Sequence, residues 1–136
     1  MKIKSFHHIC IQTEVYQQSL DFYINLLGFE LVKETAGFHT RAYNTWLKGF
    51  GIMIELQTPK KETNLHKWSK LNSGPVHICF VVEEVKAAYQ FLKEKGHHDF
   101  KKKNGQEIYS VKGGLLFKVK APEGTEIEIR EDADLD

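Results

Sequence analysis

The sequence predicts an α+β fold of two βαβββ modules in tandem, and three observations carry that expectation. The first is an internal repeat: an offset of 69 residues carries His8 to His77, Cys10 to Cys79, Glu14 to Glu83 and Phe22 to Phe91. An offset of 73 then carries Gly51 to Gly124, Ile54 to Ile127 and Glu55 to Glu128, so the second copy holds a four-residue insertion. Two copies are too few for a solenoid, and a duplicated compact domain follows. The second observation is a set of short segments with apolar residues at every other position, the period of a strand. The third is one helix-period segment near the start of each copy, ended by a glycine.

The elements follow in order. Residues 4–12 read as a strand. Tyr16, Leu20, Tyr23 and Leu27 fall on one helical face, and Gly28 stops that helix. Phe29 to Glu34, Thr40 to Leu47 and Phe50 to Thr58 read as three further strands, with Lys48-Gly49 as the turn between the last two. A polar connector follows, with one helical turn expected between Leu65 and Leu71. The second module reads as a strand from Val76 to Val82, a helix from Glu84 to Lys95 stopped by Gly96, and strands near 98–102, 106–111, 114–120 and 125–130. Ala121-Pro122-Glu123-Gly124 is the turn before the last of them. The chain is thus expected to be a single domain over 1–136: module one 1–58, connector 59–75, module two 76–131, and an acidic tail 132–136 that frays.

Composition narrows the function. At 136 residues the chain fits one domain of about 100–150 residues. With 19 basic and 18 acidic residues the net charge is +1, which gives no footing for nucleic acid or an anionic membrane. The run Lys101-Lys102-Lys103 reads as solvated surface. No apolar stretch approaches the length of a membrane span, and Met1 to Phe6 contain no apolar signal core. The two cysteines hold equivalent repeat positions and suggest no disulfide framework, so a cytoplasmic, reducing location is expected.

Alternation also places the chemistry. Ile9 and Ile11 face one side of the first strand, His8, Cys10 and Gln12 the other. In the second copy Ile78 and Phe80 oppose His77 and Cys79. Ile54 and Leu56 oppose Met53, Glu55 and Gln57, and Ile127 and Ile129 oppose Glu126, Glu128 and Arg130. The aliphatic faces should pack on the helices, leaving His8, Glu55, His77 and Glu128 on the opposite face. One such histidine is more often a packed or solvated side chain. Four ligand-type residues at repeat-matched positions point instead to one divalent metal per site: nickel, zinc, cobalt, manganese or iron. Such an ion stabilises an oxyanion, and a neighbouring glutamate can serve as general base. His7 should point away from His8, and His97-His98 should sit on a solvated loop. Cys10 and Cys79 border the site without a relay that would make them nucleophiles. Trp46, Phe38, Trp68, Tyr43 and Tyr109 are candidates to line a cleft, though core packing is the commoner fate of such residues.

Several segments together resemble the glyoxalase/bleomycin-resistance/extradiol-dioxygenase superfamily, the vicinal oxygen chelate (VOC) proteins. They are Phe6-His7-His8-Ile9, Ser19-Leu20-Asp21-Phe22-Tyr23 with Leu27-Gly28-Phe29, His77-Ile78-Cys79-Phe80, and Ala121-Pro122-Glu123-Gly124 leading into Ile127-Glu128-Ile129. The resemblance implies a cupped mixed sheet around a metal site, usually in a homodimer. Within the superfamily, glyoxalase I (lactoylglutathione lyase) enzymes use His or Gln, Glu, His and Glu, which matches His8, Glu55, His77 and Glu128. It implies catalytic roles for Glu128 and Glu55. It also implies a substrate-binding role for Lys112, in a Val-Lys-Gly-Gly segment similar to one that holds the glutathione glycyl carboxylate. Gln12 stands where those enzymes carry an arginine that contacts the γ-glutamyl carboxylate. The Asn-Trp-Gly that often follows the first glutamate is here Gln57-Thr58-Pro59.

The resulting expectation is a metal-dependent lyase or isomerase acting on a 2-oxoaldehyde thiol hemithioacetal through an enediolate. Its partner would be a small-molecule substrate with glutathione or another small thiol. The alternatives are a methylmalonyl-CoA epimerase-like isomerase, which the absence of an arginine at Gln12 favours, and a non-enzymatic small-molecule-binding protein of the same fold. The sequence leaves open whether the metal site forms within one chain or between modules of two.

Overall fold

A computed structural model describes residues 1–132; the rest of the acidic tail, 133–136, lies outside the described residues. The chain divides into two compact units, Met1–Lys67 and a second from Trp68 onward. The first holds β1 (His8–Gln12), α1 (Tyr16–Asp21) continued by a π-helical turn at Phe22–Leu26, β2 (Glu30–Ala36), β3 (Tyr43–Gly49) and β4 (Ile52–Gln57). The second holds β5 (Ile78–Val81), α2 (Val85–Glu94), β6 (Tyr109–Val111), β7 (Gly114–Lys120) and β8 (Glu126–Arg130). Each is βαβββ, and the two mixed sheets share one strand order, β1-β4-β3-β2 and β5-β8-β7-β6. In each sheet the first strand pairs in parallel with the last, and the remaining neighbours are antiparallel. The expected α+β architecture is therefore present twice.

The aliphatic faces make the cores, as alternation requires. In the first unit Phe22, Tyr23, Phe29, Ile11, Leu47, Ile54 and Leu56 are buried; in the second, Val85, Leu92, Phe100, Phe117, Val119, Ile127 and Ile129 are. The first helix differs from the regular helix expected over 16–27. It widens into a π turn, with Leu27 N–H bonded to Phe22 O at 3.0 Å. The wider turn lets the adjacent rings of Phe22 and Tyr23 both be buried, which a plain 3.6-residue period does not favour. Both helical segments end alike, on left-handed Gly28 and Gly96. The amide after each glycine reaches back to a carbonyl of the last turn, Phe29 N to Tyr23 O and His97 N to Leu92 O. The Glu84 carboxylate caps α2 by accepting from Lys86 N and Ala87 N at 3.1 and 2.9 Å.

Several expected boundaries move. β1 starts at His8 rather than residue 4, because its partner ladder begins at Met53. β3 extends through Lys48 and Gly49, so the turn falls on Phe50-Gly51, with φ of 52° and 77°. Inside the strand, a Cβ at position 49 would press on the Phe29 ring at 3.0 Å, a tight contact that glycine avoids. The segment 65–71 contains no helix. The strand expected at 98–102 is only a bridge of Phe100 to Val119, backed by Lys101 N to Lys118 O and Lys120 N to Asp99 O. It occupies the edge of β7 that β6 leaves uncovered. His97 is half-buried rather than solvated, edge-on to Phe100, and burial holds its pKa below the ordinary histidine value. Among the described residues no helix is long and apolar enough to cross a membrane.

Lys112-Gly113 closes the β6–β7 hairpin as a two-residue turn with both residues left-handed, at φ of 49° and 83°. That geometry suits Asn-Gly and strains a lysine. Lys112→Asn is expected to raise unfolding stability by about 1 kcal/mol, read as a higher urea midpoint at unchanged slope; an unchanged midpoint would contradict the turn assignment.

Candidate metal centre

In the first unit the parallel register sets Cys10 opposite Glu55 and His8 opposite Met53. Side chains in register share a face, so His8 and Glu55 are diagonal neighbours on the face away from Ile54 and Leu56. His8 Nε2 lies 3.5 Å from Glu55 Oε2. The other ring nitrogen is engaged by a residue the sequence had turned away. His7 Nδ1 lies 2.7 Å from His8 Nδ1, and Trp46 meets both rings edge-on at 5.9 and 5.0 Å. His7 precedes the ladder, so strand alternation does not govern its direction. One of the two Nδ1 atoms must carry the proton of that hydrogen bond, and when His8 donates it, its Nε2 lone pair is free.

Gln12 ends β1, and its Oε1 accepts from Arg41 Nη1 at 2.9 Å; the same Nη1 donates to Thr58 O at 2.6 Å. Arg41 has no carboxylate within ion-pair distance among the described residues. Sequence reasoning missed it because it comes from the β2–β3 connection. The Cys10 thiol is pushed up to about 11 by burial and then by Glu55, so it stays protonated near neutral pH.

The second unit repeats the geometry. Ile78 pairs with Ile127 and Cys79 with Glu128, which again makes the histidine and the glutamate diagonal. His77 Nε2 lies 3.6 Å from Glu128 Oε2. Cys79 Sγ donates to Glu128 Oε1 at 3.5 Å, and burial followed by Glu128 pushes its thiol up to about 11. The surroundings differ from those of the first unit. Cross-strand from Glu55 is Trp46; cross-strand from Glu128 is Lys118. Lys118 Nζ is 3.2 Å from both Glu128 Oε2 and Glu126 Oε1, and it donates to His77 Nδ1 at 3.4 Å. Arg130 Nη1 lies 3.5 Å from Glu128 Oε1, and Lys101 Nζ 3.2 Å from Glu126 Oε2. Burial works against the Lys118 ammonium, but its hydrogen bonds and attraction to Glu128 and Glu126 outweigh that and hold its pKa above the ordinary lysine value. Burial likewise opposes the Glu126 carboxylate, and Lys101 and Lys118 outweigh it, lowering that pKa. Lys118 was legible as a polar-face residue of β7 once the 121–124 turn fixed its register against β8. Lys112, expected at a substrate, lies in the exposed β6–β7 turn.

The donor types suit a divalent ion, and so does their spacing. Metal–ligand bonds of about 2.1 Å at angles between octahedral and tetrahedral put neighbouring donors about 3.0–3.4 Å apart. The observed 3.5 and 3.6 Å are within a small adjustment of that. Each unit supplies one such pair; no three His, Cys, Asp or Glu side chains gather into a metal-holding group among the described residues.

The family model for the Glyoxalase/Bleomycin resistance protein/Dioxygenase superfamily matches residues 5–129. The chain is 34% identical to the protein YwkD of Bacillus subtilis (strain 168), over 71% of this chain and 75% of that one. It is 26% identical to Glyoxylase I 4 of Arabidopsis thaliana, over 71% of this chain and 54% of that protein. Among solved structures, a glyoxalase family protein from Enterococcus faecalis superposes with a TM-score of 0.75 at 24% identity, covering 96% of this chain and 100% of its own.

Partners that hold the second nitrogen of a ligating imidazole typically contribute about 10–100-fold to metal affinity. His7→Phe keeps the ring against Trp46 and removes the hydrogen bond to His8. If His8 ligates a metal, the variant is expected to bind nickel about tenfold more weakly by titration calorimetry, while unaltered affinity would leave His7 with a packing role only.

Proposed function

We propose that this chain, which belongs to the Glyoxalase/Bleomycin resistance protein/Dioxygenase superfamily, is a metal-dependent lyase or isomerase of the glyoxalase I kind. Its substrate would be the hemithioacetal of a 2-oxoaldehyde and a small thiol such as glutathione. The observation that carries the proposal is the repeated pair of imidazole Nε2 and glutamate Oε2, at 3.5 and 3.6 Å. His8, Glu55, His77 and Glu128 would hold one divalent ion, with affinity order and availability deciding among nickel, zinc, cobalt, manganese and iron. When bound, such an ion supplies Lewis-acid stabilisation of an oxyanion.

The chain's own residues supply the rest. Glu55 or Glu128 takes the proton from the carbon that bears sulfur and returns it to the adjacent carbon, a transfer that suits a carboxylate held at a fixed place. The hemithioacetal becomes the thioester of a 2-hydroxy acid, with no atom gained or lost. Cys10 and Cys79, protonated at neutral pH, do not compete as nucleophiles. Arg41 offers a guanidinium beside Gln12, where a carboxylate of the thiol can be bound. A homodimer with closed two-fold symmetry is part of the same proposal. The 26% identity to Glyoxylase I 4 supports the reading.

Turnover of methylglyoxal with glutathione, after loading with nickel, cobalt, zinc or manganese in turn, tests the proposal. Glu55→Gln and Glu128→Gln are each expected to lower kcat by at least about 100-fold. Tight metal binding without turnover under any of the four would reject this substrate. Deuterium exchange into methylmalonyl-CoA would then mark the acyl-CoA epimerase that Gln12 favours. Arg41→Gln is expected to raise KM for the thiol adduct roughly tenfold at nearly constant kcat; a loss confined to kcat would place Arg41 outside substrate binding.

A further inference from the structure

The two half-sites match in their ligand pairs and differ in charge. Around Glu55 the described residues place no lysine or arginine within ion-pair distance; its cross-strand neighbour is Trp46. Around Glu126 and Glu128, two carboxylates meet three cations, Lys101, Lys118 and Arg130. Lys118 is the one that reaches both members of the ligand pair. Its Nζ lies 3.2 Å from Glu128 Oε2, the oxygen that also faces His77 Nε2, and 3.4 Å from His77 Nδ1.

Both contacts oppose a second cation. An ammonium only donates, so His77 Nδ1 accepts from it. In the neutral imidazole the single ring proton then sits on Nε2, the nitrogen turned toward Glu128, and a protonated nitrogen has no lone pair for a metal. The Oε2 charge, meanwhile, is already compensated by Lys118 and by Arg130 on the same carboxylate.

We infer that Lys118 is a resident cation of the second half-site, which competes with a divalent metal for Glu128 and His77 and so sets metal affinity. The inference rests on the metal-binding reading proposed above and adds to it the residue that weakens binding. For the ion to bind, Lys118 has to give up Glu128 Oε2 and His77 Nδ1, and Glu126 is the partner that can keep it. Glu126 is 3% exposed and shared with Lys101, which holds it on the lysine side of the cluster. Trp46 cannot act in this way in the first unit, because an indole carries no charge. The duplicated modules therefore divide the work between an unopposed half-site and a guarded one.

The test is equilibrium binding of zinc, nickel, cobalt and manganese ions to metal-stripped protein, by calorimetry or competition with a chromophoric chelator. Lys118→Met, and Lys118→Gln as a second variant that keeps a polar head beside Glu126, are expected to bind at least tenfold more tightly than wild type. Lys101→Met, which touches Glu126 only, should stay within threefold. In metal-free protein the 15N shifts of the His77 ring should place its proton on Nε2. Affinities of both Lys118 variants within threefold of wild type, or weaker, overturn the inference, as does a His77 proton on Nδ1. Metal binding by wild type with no gain in the folded variants sinks this inference alone. No uptake by any of the proteins sinks the metal-binding reading as well. Uptake by the Lys118 variants but not by wild type supports the resident cation and rejects metal dependence for the natural chain.

Discussion

In both units the first strand of the sheet is hydrogen-bonded, in parallel, to the last. That pairing lays an imidazole beside a carboxylate that is distant in the chain. A parallel pair cannot be closed by a hairpin; it needs a long crossover, and here the helix and two strands between them provide it. The helix covers one face of the sheet, so the aliphatic residues of the paired strands turn toward it, and the His–Glu diagonal is forced onto the other face. A one-residue slip of register would send Glu55 into the core and Ile54 onto the site face, which makes burial of Ile54 and Leu56 the lock on the position of Glu55. The site is in this sense a by-product of core packing carried out twice.

Repetition of the backbone did not carry repetition of the electrostatics. Trp46 and Lys118 occupy matching cross-strand places, opposite Glu55 and Glu128. An indole edge against His8 fixes a ring by shape. An ammonium against Glu128 and His77 fixes them by charge and hydrogen bonding. The first brings no charge to its histidine and glutamate; the second brings a positive one. Two buried carboxylates in the second unit, Glu126 and Glu128, demand such compensation, since a buried charge is tolerated only when paired. In the first unit Met53 stands where Glu126 stands in the second, and the demand does not arise.

Much of this was legible in the residues. The repeat, the βαβββ order and the facing of His8, Glu55, His77 and Glu128 all follow from a period of two and an offset that sequence alone displays. Elements whose form depends on contacts across the fold were not legible. The π turn at Phe22–Leu26 answers to two adjacent rings seeking one core, and no helical period announces it. The turn falls at Phe50-Gly51 because Gly49, a turn residue by composition, pairs with Ile52 inside the ladder and packs against the Phe29 ring. The segment at 98–102 has strand composition but shares its edge of β7 with β6, and only one bridge forms. His7 was misdirected for a related reason: alternation holds inside a ladder, and the ladder begins one residue later.

Gln12 shows why a missing residue in a motif is a weaker argument than a missing charge in space. The resemblance asks for an arginine at that position, and its absence argued for an acyl-CoA substrate. The folded chain brings Arg41 to the same glutamine from the connection after β2, with its Nη1 shared between Gln12 Oε1 and Thr58 O. A guanidinium has five donors, and two of its hydrogen bonds here come from a single nitrogen. The remaining donors belong to a delocalised cation with no carboxylate partner among the described residues. A half-buried guanidinium in that state gains by accepting an anion, and a carboxylate matches its planar fork. The lost motif arginine therefore weighs less against a thiol carboxylate than the sequence position suggests, because recognition depends on where the charge stands and not on which strand delivers it.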